Sequence, residues 1–354
     1  IGAGLSGTGD MNFTATNSST GPVVATITVT PVFENGGVTN EGDSVSFTIT
    51  VNPSAQVDQP EDQLVCIDDT TSVVEFTTQN IGGVTTYIWT NNSPSIGLSD
   101  SGSGDIPSFT ATNLSTEPVE ATITVTPTFE NGEIVCSGEN KTFTITVNPT
   151  VEVNALADQY ITSGQTSSLI NISSSTTNVI FNWTAVADSG IIGLVNLSST
   201  DTTTIPAETL FNSSSEPLEV TYTIYPVLDS TVDCPADPIV YKVIVNPIAS
   251  IILVEDQLLC DQQLTSIIFV SGISGGNINY NWTSDINIGA GFTGSGNMNF
   301  TANNSSLDPI VANITVTPVF ENGGVTNEGD SVSFTITVNP VSYTHLRAHE
   351  TLQH

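Results

Sequence analysis

The sequence predicts an all-β protein: tandem β-sandwich domains arranged as an elongated array. Three observations carry that prediction. The stretch ITVTPVFENGGVTNEGDSVSFTITVNP occurs twice without a single change, at residues 27–53 and 314–340, and diverged copies run over 123–149 and 221–247. Inside the copies apolar and polar residues alternate, as in Ala121, Ile123 and Val125 against Thr122, Thr124 and Thr126. A period of two buries one face of a strand and wets the other. The prolines that close the copies, Pro53, Pro149, Pro247 and Pro340, recur at spacings of 96, 98 and 93 residues. Such a spacing holds about seven short strands and is too long for a solenoid turn or a propeller blade.

A sandwich of this size is immunoglobulin-like, and the repeated stretch reads as its last hairpin. Threonine and valine favour strands because a branched Cβ fits the pleated surface. Between the two strands, ENGG or ENGE supplies residues that tolerate positive φ and so turn the chain. The Asn-Pro that follows ends the second strand, since proline has no N–H to give a ladder. Residues 54–149, 150–247 and 248–340 are then three full repeats, the middle one diverged. Residues 1–53 match 288–340 throughout and correspond to the C-terminal half of a repeat. The chain therefore opens inside a repeat, with its natural start expected upstream. Alone, this half cannot close a sandwich, so its core face is expected to be partly exposed or its strands poorly ordered. In the second repeat, strands are predicted near 63–67, 72–77, 85–90, 108–111, 120–129 and 142–147, divided by short Gly, Ser, Asn and Asp segments. Trp89, Trp183 and Trp282 fall in one slot of the three full repeats, in YIWT, FNWT and YNWT. They are predicted to be pins between the two sheets, with a sugar-stacking surface tryptophan as the alternative.

The chain carries 36 acids and only 3 bases, a formal net charge of −33. A base-poor surface excludes nucleic acid and anionic membranes as partners, because both require basic patches. No apolar run is long enough to span a membrane within the fragment. The acidity reads as a solvated, mutually repelling surface. The last fourteen residues, 341–354, hold the only arginine and all three histidines. Their string SYTHLRAHET resembles a translated sequencing adapter, so 341–354 are expected to be a non-native tail.

Three stretches carry a family resemblance: WTNNSPSIGLSDSGSGDIPSFTATN from Trp89, ATITVTPTFENGEIVC from Ala121 and KTFTITVNP from Lys141. They resemble the PKD-like, immunoglobulin-like domains found in tandem in large secreted and surface proteins of gliding-type bacteria. The WDFGDG signature of true PKD domains is absent, because Trp89 is followed by Thr, Asn and Asn. The resemblance implies an adhesin or long spacer, exported to the cell surface or secreted, often by the type IX route. Its partners would be surface glycans or proteins, and neighbouring repeats of the same chain.

The four cysteines fall in two slots. Cys66 lies 13 residues after Pro53, and Cys136 lies 13 before Pro149. If the first strand starts, and the last hairpin turns, at the N-terminal pole, Cys66 and Cys136 meet there, and a Cys66–Cys136 disulfide is expected. Cys234 occupies the Cys136 slot of the third repeat, where Thr162 replaces its partner. Cys260 occupies the Cys66 slot of the fourth, where Asn327 replaces its partner. Both are expected to be unpaired, separated from each other by about one domain length, roughly 30–40 Å.

Other motifs are thin. Gly2, Gly4 and Gly7, like Gly289, Gly291 and Gly294, spell GxGxxG. A β pattern follows them, not the helix a dinucleotide site needs, so a glycine-rich loop between sheets is the better account. Glu61, Asp62, Asp68 and Asp69 are calcium candidates, against the simpler reading of a solvated acidic rim. The body has no histidine or arginine, and its serines and threonines have no base to activate them, so no catalysis is expected. Asn113-Leu-Ser and Asn299-Phe-Thr are sequons in an Asn- and Thr-rich chain. Three functions stay open at this point: a spacer or adhesive repeat, a glycan-binding module with ligand near IGLSDSGSG, or the non-catalytic part of a secreted enzyme.

Overall fold

The computed structural model describes residues 1–232, 234 and 236–341. The expected tail, beyond Val341, lies outside the described residues. The chain divides into two compact units. The first is Ile1–Glu152 with Ser174–Val179 and Val227–Ala236; the second is Val153–Ser173, Ile180–Pro226 and the chain from Asp237 on. Beyond β structure the described residues hold one short 3-10 turn, Pro94–Ile96.

In the first unit, the second repeat is built on one large sheet. Its opening strand Gln63–Cys66 runs parallel to the closing strand Lys141–Asn148. The closing strand pairs antiparallel with the long strand Val119–Asn131, and the long strand with Val84–Asn91, the strand of Trp89. The Trp strand in turn pairs with Ser101–Ser103. Along the long strand, Ala121, Ile123, Val125 and Phe129 are wholly buried. The threonines between them stay half exposed, the period-two pattern of a sheet with one wet face. Pro127 sits where the long strand changes partner, from the closing strand to the hairpin strand Ile134–Ser137. A proline is tolerated at such a break because no ladder there requires its missing N–H.

The opposing sheet of this repeat is thinner than the sequence predicts. Instead of strands at 72–77 and 108–111 there are isolated bridges, Thr70 to Thr110 and Val74 to Ile106. Pro107 lies between them and has no N–H to donate. In the second unit, the fourth repeat has no proline in this run, and Leu264–Ile267 pairs continuously with Met298–Thr301. The fourth repeat otherwise copies the second. Gln257–Cys260 is parallel to Val332–Asn339, and Ile310–Asn322 lies between that strand and Asn277–Ser284. The third repeat has the same order, with Gln159–Thr162 parallel to Ile239–Asn246 and Leu218–Leu228 beside it. Its core carries the aromatic group Trp183, Tyr222 and Tyr241, with ring centroids 5.6 and 5.7 Å apart.

Residues 1–53, in the first unit, form only two short ladders, Val23–Val29 with Val45–Val51 and Val32–Asn35 with Val38–Glu41. Phe33 is 67% exposed, whereas Phe320, the same letter in the unchanged copy, is 0% exposed. The long strand that is continuous at Ile310–Asn322 is broken at Pro31 in the half-repeat. What differs is the neighbour: in the fourth repeat the Trp strand pairs along the long strand, with Ile278 opposite Phe320, and the half-repeat has no counterpart of it. A groove of about 620 Å³ remains, lined by Met11, Phe13, Ile27, Val29 and Val32 among others.

Candidate functional site: the junctions between repeats

A recurring set of contacts lies where one repeat meets the next. Three equivalent backbone hydrogen bonds mark the junctions: Ile81 N–H to Thr20 O at 3.0 Å, Thr177 N–H to Thr116 O at 3.1 Å, and Ser274 N–H to Ser215 O at 2.9 Å. A second contact joins the asparagine before each closing proline to the hairpin of the following repeat. Asn131 donates to Asn52 at 2.9 Å, Asn148 to Ser230 at 2.9 Å, and Asn322 to Asn246 at 2.9 Å. Each of these junctions falls within one unit.

At the junction of the second and third repeats a covalent bond stands beside this contact. Cys66 and Cys234 form a disulfide with Cα atoms 5.5 Å apart, 168 residues apart in sequence. Cys136 and Cys260 are free thiols. The expected Cys66–Cys136 bond is therefore not formed, and Cys234 is not unpaired. The reason is the direction of the opening strand. Cys66 is the register partner of Asn148, at the far end of the closing strand. Thirteen residues separate it from Pro53, and a chain of that length in extended form spans roughly 40 Å, enough to cross a sandwich. Cys136 stays at the leading pole, opposite Phe129 in the hairpin. The two cysteines of the second repeat thus face different neighbours.

The acids named as calcium candidates do not form one ligand set. Asp62 accepts the N–H of Thr144 at 2.6 Å, and Asp69 faces the N–H of Cys66 at 3.4 Å. Glu61 is exposed, and Asp68 turns the chain with φ of 67°. The Asp62 arrangement recurs as Asp158 on Lys242 N–H and Asp256 on Thr335 N–H. These carboxylates satisfy a backbone donor of the closing strand beside the short parallel ladder. Among the described residues no group of three acidic, cysteine or histidine side chains is placed to hold a metal ion. The one salt bridge among them joins Lys242 to Glu219 at 2.9 Å.

Trp89, Trp183 and Trp282 are all buried, at 5, 2 and 7% exposure. Gly102 and Gly294 lie against two of them: a Cβ at either position would stand 2.1 Å from the indole ring of Trp89 or Trp282. Gly294 is the last glycine of the GxGxxG string, so that string serves a tryptophan's packing. In the third repeat, Ser199 faces Trp183, whose indole N–H donates to Thr204 O at 3.1 Å.

A residue type that sequence reading passed over holds each loop before the long strand. Asn113 donates to Glu117 O at 2.9 Å and to Val147 O at 2.7 Å, and accepts from Ser115 N–H at 2.9 Å. Asn17, Asn212 and Asn304 make the same three bonds in their repeats. The signal was the recurring Asn-x-Ser, read as a sequon. With its amide buried and engaged, Asn113 is structural and closed to glycosylation; Asn299 is exposed.

Residues 160–249 match the family model of the PKD-like domain. No curated protein matches the chain. Among solved structures, four cadherin domains of Drosophila N-cadherin are similar at 13% identity, over 90% of this chain and 84% of that one, with a TM-score of 0.33. The three N-terminal domains of the bacteriophage RB49 outer capsid protein Hoc are similar at 13% identity, over 82% and 99%, with a TM-score of 0.38. Mouse cadherin-23 domains 22–24 are similar at 12%, over 81% and 99%, with a TM-score of 0.35. The chain is a tandem of β-sandwich domains, one of which carries the PKD-like pattern. What makes the repeats sandwiches is the sheets and registers described above.

Proposed function

We propose that this chain is a non-catalytic spacer within an extracellular, adhesin-type protein of a bacterial surface. The observation that carries the reading is the Cys66–Cys234 disulfide between consecutive repeats. A disulfide persists in an oxidising compartment and is rare in a reducing one. A bond between repeats ties one covalently to the next, which a spacer uses and a free-standing binding domain does not need. Base-poor, threonine-rich outer faces suit a surface exposed to proteases. No described helix is long and apolar enough to cross a membrane.

Two measurements test the reading. Produced in an exported, oxidising compartment, the chain should carry the Cys66–Cys234 bond and resist thermolysin; produced in a reducing cytosol, it should lack the bond and be cut faster. Equal resistance in both would remove the argument for an extracellular setting. On a glycan array the oxidised chain should bind nothing above background. Saturable binding lost on changing residues 96–104 would favour a glycan-binding module over a spacer.

A further inference from the structure

The two free cysteines occupy the same two positions as the bonded pair. Cys66, Thr162 and Cys260 each end an opening strand, opposite the asparagine that precedes the closing proline: Asn148, Asn246 and Asn339. Cys136 and Asn327 share a hairpin position opposite Phe129 and Phe320, and Cys234 sits at the same distance, 13 residues, before its closing proline. Where two consecutive full repeats meet, these positions agree. The second-to-third junction has cysteine at both, and they are bonded. The third-to-fourth junction has cysteine at neither, only Thr162 and Asn327, on strands that pack together. There Asn327 donates to Pro247 O at 3.1 Å and accepts the N–H of Ala249 at 2.8 Å. Hydrogen bonds replace the staple.

We infer that Cys260 and Cys136 are each one half of the same staple. Cys260 would bond a hairpin cysteine of a repeat following the fourth, and Cys136 an opening-strand cysteine of the sandwich to which residues 1–53 belong. The partner in each case is another repeat of this kind, docked through the same asparagine-to-hairpin contact. In forming the bond, each thiol gives up its proton and the two sulfurs join. The two electrons pass to an oxidised disulfide, such as oxidised glutathione, which is reduced to two thiols. This inference goes beyond the spacer reading and holds whatever the array displays.

The test uses the full chain refolded in a glutathione buffer and mapped by non-reducing peptide mass spectrometry. In one arm, Thr162→Cys is combined with Asn327→Cys. A new bond between positions 162 and 327 is expected, with Cys66–Cys234 intact and Cys136 and Cys260 still alkylated. New cysteines that stay free, or bond elsewhere, would overturn the junction geometry. In the other arm, the chain is extended after Pro340 by a second copy of residues 150–247, in place of 341–354. Cys260 should then become fully protected from alkylation and bond the added copy's hairpin cysteine. It should return to full alkylation when that added cysteine is serine. Cys260 remaining alkylated in the extended chain overturns the inference, whatever the first arm shows.

Discussion

Phe33 and Phe320 put the residue scale plainly: one letter in one unchanged sequence is two-thirds exposed in the first copy and wholly buried in the last. Truncating a buried phenylalanine costs about 3–5 kcal/mol, through lost transfer energy and the cavity left behind. Phe320→Ala should therefore destabilise the fourth repeat by that amount, while Phe33→Ala should change little. Amide exchange of residues 288–340 and 1–53, followed by mass spectrometry, separates the two. Asn113→Ala should cost about 1–3 kcal/mol, because it strands the buried carbonyl of Val147. Urea unfolding followed by Trp89 fluorescence, with Trp183 and Trp282 replaced by Phe, reads it; an unchanged midpoint would mean water takes the amide's place. The burial of the three tryptophans was legible from their shared slot. The asparagine loop was not, since Asn-x-Ser carries a glycosylation meaning that masks a hydrogen-bonding one.

At the scale of elements, alternation identifies the strands of the second repeat that have a partner on both sides, because pattern and pairing agree there. It fails at 72–77 and 108–111, where the apolar rhythm is present but Pro107 removes a donor and only bridges form. It also misplaced Cys66, because alternation gives a strand's faces and not its direction. Parallel pairing of the first and last strands, invisible in the pattern, sends that cysteine to the far pole. The Gly–Trp contact gives this scale its prediction. Gly294→Ala would push a methyl into the Trp282 ring, and overpacking of that kind costs about 1–3 kcal/mol. The same change in the half-repeat, Gly7→Ala, meets nothing within 4 Å and should be silent in a thermal melt.

Across the whole molecule, stability should fall at both ends of the pH scale for separate reasons. The bonds Asp285 accepts from Asn313 and Asp256 from Thr335 hold both carboxyls below their ordinary value of 3.8. A depressed acid stabilises the fold above its unfolded pKa, and that contribution is lost as pH falls through the folded one. Acid unfolding of the fourth repeat should therefore begin below about pH 4 and flatten in the Asp256→Asn, Asp285→Asn double variant. At the other end, burial and then the nearby Glu208 push Tyr222 up to about 12, and burial also drives Tyr241 upward. Unfolded phenols ionise near 10, so the third repeat loses stability as pH rises above that value. Phenolate absorbance at 295 nm should show these two of the seven tyrosines ionising only as the repeat opens. A simple titration of all seven near pH 10 would contradict their burial.

The covalent junction also decides where tension would travel. A pull entering at Pro53 runs along the opening strand to Cys66 and crosses directly to Cys234, bypassing everything between. The 168 residues of separation correspond to about 550–600 Å of contour that force cannot draw out while the bond is intact. Held in an optical trap by its ends, the oxidised chain should refuse that extension, and a reducing agent should release it in discrete steps. The disulfide would then be a fuse, converting a stretchable tether into a strut whose slack is kept in reserve until electrons arrive.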